Sequence, residues 1–285
     1  MKTNEKMISD HTKGLFYLLN CMLFTVSVSA HGFDTAYFAR LMFEANQRQD
    51  WLPDIQRINP GLDESALYAI QTQYVKARLA VGDSIGGFKG GFIPKAPVGG
   101  VLFGGKRILH GKPEISLADF RLLIVEAEIG FRFCEPVRAK LDSIEALRSK
   151  VCEIMPVIEI ADGAIADFGE VKKDFVHLRN TLISMNVASS HTLLGQAYPP
   201  DTALDEIPVT MLHNGEQIGQ RDIGQLFNFW QNVLLVVNDY VLKHAYTIEP
   251  GQFVIGGNLT GIHPAKPGVY TADYGPLGSL SLTVK

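Results

Sequence analysis

The stretch VEAEIGFRF, residues 125–133, alternates in residue type with the two-residue period of a β-strand. Val125, Ala127, Ile129, Phe131 and Phe133 are expected on one face, with Glu126, Glu128, Gly130 and Arg132 on the other. A half-buried strand places acids on its wet side, and a lone Glu-x-Glu reads that way by default. Two carboxylates side by side on a short strand, however, hold like charges close together, which costs free energy unless water or a cation screens them. A third acid follows in MPVIEIADG, where Glu159 lies inside the apolar run Met155 to Ile160. Three carboxylates on or near buried strands suit a hard divalent cation such as Mg²⁺, which takes oxygen ligands and keeps some of its waters. Glu126, Glu128 and Glu159 are therefore the candidate metal ligands of a metal-dependent enzyme.

Upstream of this strand the texture is glycine-rich. In IGGFKGGF, Lys89 sits between Gly86-Gly87 and Gly90-Gly91, which favour close approach of the backbone to a ligand or to another strand. A solvated turn lysine is the competing reading. Earlier still, residues 33–80 read as helical, broken at Pro60-Gly61, with Asp63 as an N-cap, Gly82 as a stop and a stripe of Leu67, Ile70, Tyr74, Ala77 and Leu79. Downstream, Leu141 to Glu153 reads as a helix before the Glu159 strand. Asp162 and Asp167 read as caps of the loop that follows, and Asn186 with Ser189-Ser190 as a turn or as substrate contacts. IPVTMLHNGEQIG reads as a hairpin turning at Asn214-Gly215. Residues 223–245 read as one apolar helix with Trp230, Leu234, Val237 and Val241 inward, and the remainder as strands. The predicted class is α+β, with a helical N-terminal cap over residues 31–84 and a main domain over residues 85–285.

The 285 residues are 46% apolar and 20% charged, with 27 Gly and 14 Pro, which describes a turn-rich globular chain. A net charge of −4 without basic and aromatic clusters argues against nucleic acid as a partner. No phosphate loop or dinucleotide fingerprint is present. Lys2, Lys6 and Lys13 precede an apolar run from Leu15 to Val28, and Val28-Ser29-Ala30 offers small residues for cleavage. A signal peptide over residues 1–30 is thus expected, giving a periplasmic or secreted protein with no stable membrane anchor after processing. A mis-assigned start codon would leave it cytoplasmic. Cys134 and Cys152 remain after cleavage, and the sequence leaves open whether they pair.

Taken together, GGFKGGF, the GVLF segment at Gly100–Phe103, VEAEIGFRF, MPVIEIAD, NVASSHTLLG at Asn186–Gly195, EPGQFVIGGNLTG at Glu249–Gly261 and YGPLGSLSL resemble the fumarylacetoacetate hydrolase superfamily. The branch they resemble holds the 2-keto-4-pentenoate hydratases and 4-oxalocrotonate decarboxylases. The segments come in that family's order over about residues 65–285. The resemblance implies a mixed β-roll, a homo-oligomer, and Mg²⁺ or Mn²⁺ held by Glu126, Glu128 and Glu159. It also implies a small 2-oxo or 2-hydroxydienoic acid of aromatic catabolism, chelated through its carboxylate and 2-oxo group, with the metal acting as a Lewis acid on the enolate. Lys89 takes the place of the family's lysine near the substrate, and Asn186, Ser189 and Thr260 are the expected substrate contacts.

The chain departs from the branch at three places. Phe92-Ile93-Pro94-Lys95 replaces a small-hydroxyl segment after the lysine. Ile124 stands where an arginine is common, and Leu226-Phe227-Asn228-Phe229 replaces a Gly-His-Pro turn. The leading expectation is a lyase that hydrates or decarboxylates its substrate. An acylpyruvate-type C–C hydrolase is the neighbouring alternative, although the sequence offers no convincing water-activating base. An exported binding protein of the same fold is the non-catalytic one.

Overall fold

Asp34, Asp54 and Asp63 each accept a backbone N–H with a carboxylate oxygen, at 3.0, 3.0 and 2.8 Å, and so start three helices. These are α1 (Thr35–Arg48), α2 (Ile55–Ile58) and α3 (Glu64–Ala80), and Gly82 follows with φ +105°. The computed structural model describes residues 34–91, 95–225 and 229–285. The expected signal peptide lies outside these residues, as do Phe92-Ile93-Pro94 and Leu226-Phe227-Asn228. The inward face of α3 carries Leu67, Ile70 and Tyr74 as expected, but continues through Gln71 and Arg78 rather than Ala77 and Leu79. Both polar side chains are bonded where they are buried. Gln71 donates to the carbonyls of Gly99 and Ile183, at 2.9 and 2.8 Å, and Arg78 donates to Asp83 and to the Tyr74 hydroxyl.

Strands then dominate. They begin with β1 (Ile85–Gly91), β2 (Val98–Phe103), β3 (Ile108–Leu109), β4 (Glu114–Ile115) and β5 (Leu123–Phe133). A short α4 (Ile144–Arg148) leads into β6 (Val151–Asp162), then α5 (Phe168–Val171), α6 (Phe175–Ser184) and β7 (Ser189–Leu194). The hairpin forms as β8 (Pro208–His213) and β9 (Glu216–Asp222), with Asn214 and Gly215 both at positive φ. After α7 (Phe229–Leu235) come β10 (Phe253–Gly256), β11 (His263–Pro264), β12 (Gly268–Asp273) and β13 (Ser279–Val284).

Two expected helices are shorter than the pattern suggested. Val151 to Glu153 belongs to β6, because Val151 and Glu153 pair with Phe133 and Arg132 of β5, and only α4 is helical. The apolar segment after residue 223 opens as a 3₁₀ turn, Ile223–Gln225. It resumes as α7 and passes into a π-helical stretch, Val236–Leu242. Leu234, Val237 and Val241 are buried as expected. Trp230 is half-buried, packing edge-on to Phe131 at 4.9 Å with the Arg148 guanidinium over its ring at 4.8 Å.

The strands form two sheets. The larger is mixed and curled, in the order β2-β1-β10-β5-β6-β7-β3, with β11 added against β5. The smaller runs β4-β13-β12-β8-β9. Leu102, Met155, Val157, Leu194, Phe253 and Ile255 form a buried apolar cluster on the larger sheet. Tyr274, between β12 and β13, donates its hydroxyl to the Val157 carbonyl and so ties the small sheet to β6. Cys134 and Cys152 are joined in a disulfide at the far end of the β5–β6 pair, with Cα atoms 5.7 Å apart. No helix of the described residues is long and apolar enough to cross a membrane.

Candidate metal centre

The antiparallel register of β5 and β6 sets Glu126 directly opposite Glu159, with Glu128 opposite Val157. Glu126 and Glu128 share a face because they are two residues apart, and Glu159 joins them from the next strand. One carboxylate oxygen from each lies within 4.8 Å of the others. This face is not wet. Glu128 is 3% exposed and Glu159 0%, and α5, α6 and the turn before β7 line a cavity over it.

Lys89 approaches from β1, where it pairs with Ile255 of β10, itself opposite Gly130 of β5. Its ammonium donates to Glu159 Oε1 and, at 3.0 Å, to the Val187 carbonyl. That carbonyl belongs to an unusual turn. Asn186, Val187 and Ala188 have φ of 56°, 50° and 57°, three consecutive left-handed residues of which one is β-branched. The turn is held because Asn186 accepts from Val101 N–H at 2.7 Å and donates to Val101 C=O at 2.9 Å. Gly100 makes room for it, since a Cβ there would lie 2.8 Å from the Asn186 carbonyl oxygen. Glu126 is oriented by Asn258, whose amide donates at 2.6 Å, while Asn258 Oδ1 accepts the N–H groups of Thr260 and Gly261.

Burial raises the pKa of Glu126 to about 7, reinforced by the charge of Glu159 and opposed by Lys89 and Asn258. Glu128 is pushed well above the ordinary carboxylate range by burial, then by Glu159 and Glu126. For Lys89 burial pulls downward, but the three glutamates outweigh it and the net direction is up. One oxygen each of Glu128 and Glu159 is buried without a hydrogen-bond partner. An all-oxygen donor set with two unmatched oxygens, and three acids against one ammonium, fits Mg²⁺ or Mn²⁺. The cavity beside these groups measures about 310 Å³, within the range of small-ligand sites. Its remaining wall is apolar, with Ile124 from β5, Phe168 from α5, Leu178 and Leu182 from α6, and Val187.

The structure thus brings Glu126, Glu128, Glu159 and Lys89 together, and distributes the other sequence candidates differently. Asn186 engages both ends of its amide on Val101, so it shapes the wall instead of facing a ligand. Ser189 lines a separate cavity behind the turn. Thr260 is buried and is not among the residues lining the metal cavity. Asn258, two residues earlier, occupies the place that sequence reasoning gave to Thr260. Its signal was the Asn-Leu-Thr-Gly turn, in which an Asn side chain caps the backbone two and three residues on.

No family model matches the chain. Among curated proteins it is 24% identical to a 2-oxo-hept-4-ene-1,7-dioate hydratase of Escherichia coli, over 85% of this chain and 95% of that one. It is 23% identical to a 4-oxalocrotonate decarboxylase of a Pseudomonas species, over 60% of this chain and 64% of that one. Among solved structures, 4-oxalocrotonate decarboxylase from Pseudomonas putida G7, complexed with magnesium and adipate, superimposes with a TM-score of 0.79 at 18% identity. The match covers 88% of this chain and 97% of that one. The same protein complexed with calcium and acetate gives 0.78. Relatives in sequence and neighbours in fold together bear out the resemblance to the fumarylacetoacetate hydrolase superfamily and to its hydratase and decarboxylase branch.

Proposed function

We propose that the chain is a divalent-metal-dependent lyase acting on a short 2-oxo or 2-hydroxydienoic acid by hydration or decarboxylation. The observation that carries this reading is the pair of unmatched, buried carboxylate oxygens on Glu128 and Glu159, set with Glu126 at one end of an otherwise apolar cavity. Magnesium or manganese, when bound, supplies a Lewis acid and a two-point anchor for a carboxylate and its neighbouring 2-oxo group. Glu126, Glu128 and Glu159 hold the ion, and Asn258 fixes the direction from which Glu126 approaches. Lys89 has two of its three N–H donors taken, by Glu159 and Val187. The third is available to negative charge developing on the substrate. The apolar wall of Ile124, Leu178 and Leu182 packs the carbon tail and excludes water.

The hydratase and decarboxylase names of the relatives support the reaction class. Aromatic catabolism is the metabolic setting of this reading. Export is part of it too, and the Cys134–Cys152 disulfide supports that, since such bonds persist in oxidising compartments. Assembly with further copies of the chain is supported by Ile218 and Val269, which stand exposed on the small sheet.

The test is the absorbance decay of 2-hydroxypenta-2,4-dienoate with the full-length chain, with and without Mn²⁺. Metal-dependent loss of the dienol band, absent in Glu126→Ala, is the expected result. A flat trace with metal bound would exclude this substrate. A flat trace with no metal bound would replace the lyase with a binding protein of the same fold.

A further inference from the structure

A second cavity of about 290 Å³ lies behind the Asn186–Ala188 turn, and among the described residues Ala188 alone lines both it and the metal cavity. Its wall is built from the side chains of Arg78, Arg107, Arg121, Ser189, Ser190 and His191. Two of the three guanidiniums have carboxylate partners. Arg78 pairs with Asp83, and Arg121 pairs with Asp162 at 2.9 Å. Arg107 makes no ion pair among the described residues, and its Nη1 meets His191 Nε2 at 3.0 Å. Because an arginine can only donate, His191 Nε2 accepts and its Nδ1 carries the proton toward Ser190 Oγ, at 2.9 Å. His191 is therefore the neutral tautomer, in keeping with a pKa lowered to about 4 by burial and then by the charges of Arg107 and Arg78.

Two donors in this wall have no partner. Arg121 has a side chain only 8% exposed, yet its Nε is buried and bonds to nothing, and neither does the buried hydroxyl of Ser189. Buried donors without acceptors are costly, and a concentration of them around a cation that lacks a counter-ion marks a place for an anion. Two acids also line the cavity: Asp162, whose charge is taken up by Arg121, and Asp119, which is exposed to solvent.

We infer that this cavity is a second ligand site, distinct from the metal centre, which binds a small molecule through an oxyanion, either a phosphate group or a carboxylate. Arg107 supplies the charge, and Arg121 Nε and the Ser189 hydroxyl supply the donors that the protein leaves unused. Guanidinium forks suit either oxyanion, so the chemistry is shared and the source is decided by experiment.

The experiment is calorimetric titration of the full-length chain, kept in chelator to exclude metal, with inorganic phosphate, with malonate, and with chloride at matched ionic strength. Saturable binding of phosphate or of malonate, at least tenfold weaker in Arg107→Gln, is expected. Phosphate alone identifies a phosphate-bearing ligand, and malonate alone a carboxylic acid. Ser189→Ala serves as the second variant, because it deletes a hydroxyl that bonds to nothing in the protein. A purely structural serine would leave binding unchanged, whereas the site requires severalfold weakening. Heats no different from chloride, or binding retained in both variants, would overturn the inference. So would binding lost in Glu126→Ala while Arg107→Gln retains it, since that would put the anion in the metal cavity.

Discussion

Glu126 and Glu159 face each other as register partners across β5 and β6, and Lys89 donates to only one of them. Like charges directly opposite on neighbouring strands destabilise a sheet, and buried ones do so more than exposed ones. With Glu128 added, a single ammonium leaves the group short of positive charge. A divalent ion supplies it, and an ion that binds only the folded state stabilises that state by mass action. At one hundred times its dissociation constant the gain is about 2.7 kcal/mol, which for a domain of this size raises Tm by roughly 5–10 °C. Thermal melts of the full-length chain with increasing Mn²⁺ or Mg²⁺ are expected to show this rise. Glu128→Ala should abolish it.

The acid group also sets a dependence on pH. The carboxyl of Glu126 has its pKa raised from an ordinary 4.5 to about 7, so the folded state binds its proton more tightly than the unfolded state does. That contribution to stability is present below the ordinary value and is lost as pH rises through about 7. Each unit of pKa corresponds to roughly 1.4 kcal/mol, so metal-free protein loses up to about 3 kcal/mol from this residue between pH 4.5 and 8. His191 titrates in the opposite sense over part of this range, so the residue is isolated by comparison with Glu126→Gln. The glutamine variant should match the native chain at pH 5 and melt progressively higher than it toward pH 8. Adding metal should reverse that order.

Asn258 separates fold from function in the site. Its amide nitrogen orients Glu126 and its amide oxygen caps the Thr260–Gly261 turn. Groups that orient metal-binding carboxylates are commonly worth about 10–100-fold in metal affinity. Asn258→Ala is expected to weaken Mn²⁺ binding by about that factor, measured by calorimetry, while far-ultraviolet circular dichroism stays unchanged.

The disulfide predicts a fourth behaviour. Cys134 and Cys152 are 18 residues apart in sequence, and closing a loop of that size removes roughly 3 kcal/mol of unfolded-state entropy. Reductant, or Cys134→Ser, should lower the urea midpoint accordingly without changing the response to metal.

Much of this was legible in the sequence because it depended on period. The two-residue alternation of VEAEIGFRF places Glu126 and Glu128 together, and the Asn214-Gly215 turn fixes its hairpin by local chemistry alone. What the sequence could not show depended on register and on chain separation. Only the pairing of β5 with β6 puts Glu159 opposite Glu126, and only that pairing draws Val151 and Glu153 into a strand where local pattern favoured a helix. Asn186 read as a ligand contact because a polar residue before a Ser-Ser turn has that look. Its real partner, Val101, is 85 residues earlier. The burial of the acid face was likewise invisible, since it comes from α5 and α6 folding back over a strand whose own alternation predicts a wet side.

The wall of the metal cavity makes the last prediction. Ile124, Phe168, Leu178 and Leu182 present hydrocarbon where the tail of a 2-oxo acid would rest, and Lys89 is the one cation among the described residues lining the cavity. A substrate with a second carboxylate would bury that charge against apolar side chains, and an unpaired buried charge is strongly disfavoured. The related hydratase of Escherichia coli is named for a dioic acid. This chain should therefore differ in preference, binding 2-oxopentanoate at least tenfold more tightly than 2-oxoadipate in the presence of Mn²⁺. Leu182→Arg, at a half-buried position on α6, supplies the missing partner. A hydrogen-bonded charge pair contributes roughly 1.5–3 kcal/mol, so the variant should narrow or reverse the preference by about 10–100-fold. Calorimetric titration of both acids into both proteins decides it. Equal affinity of the native chain for the two acids would mean that the second carboxylate escapes the apolar wall, and the wall would then not set the substrate.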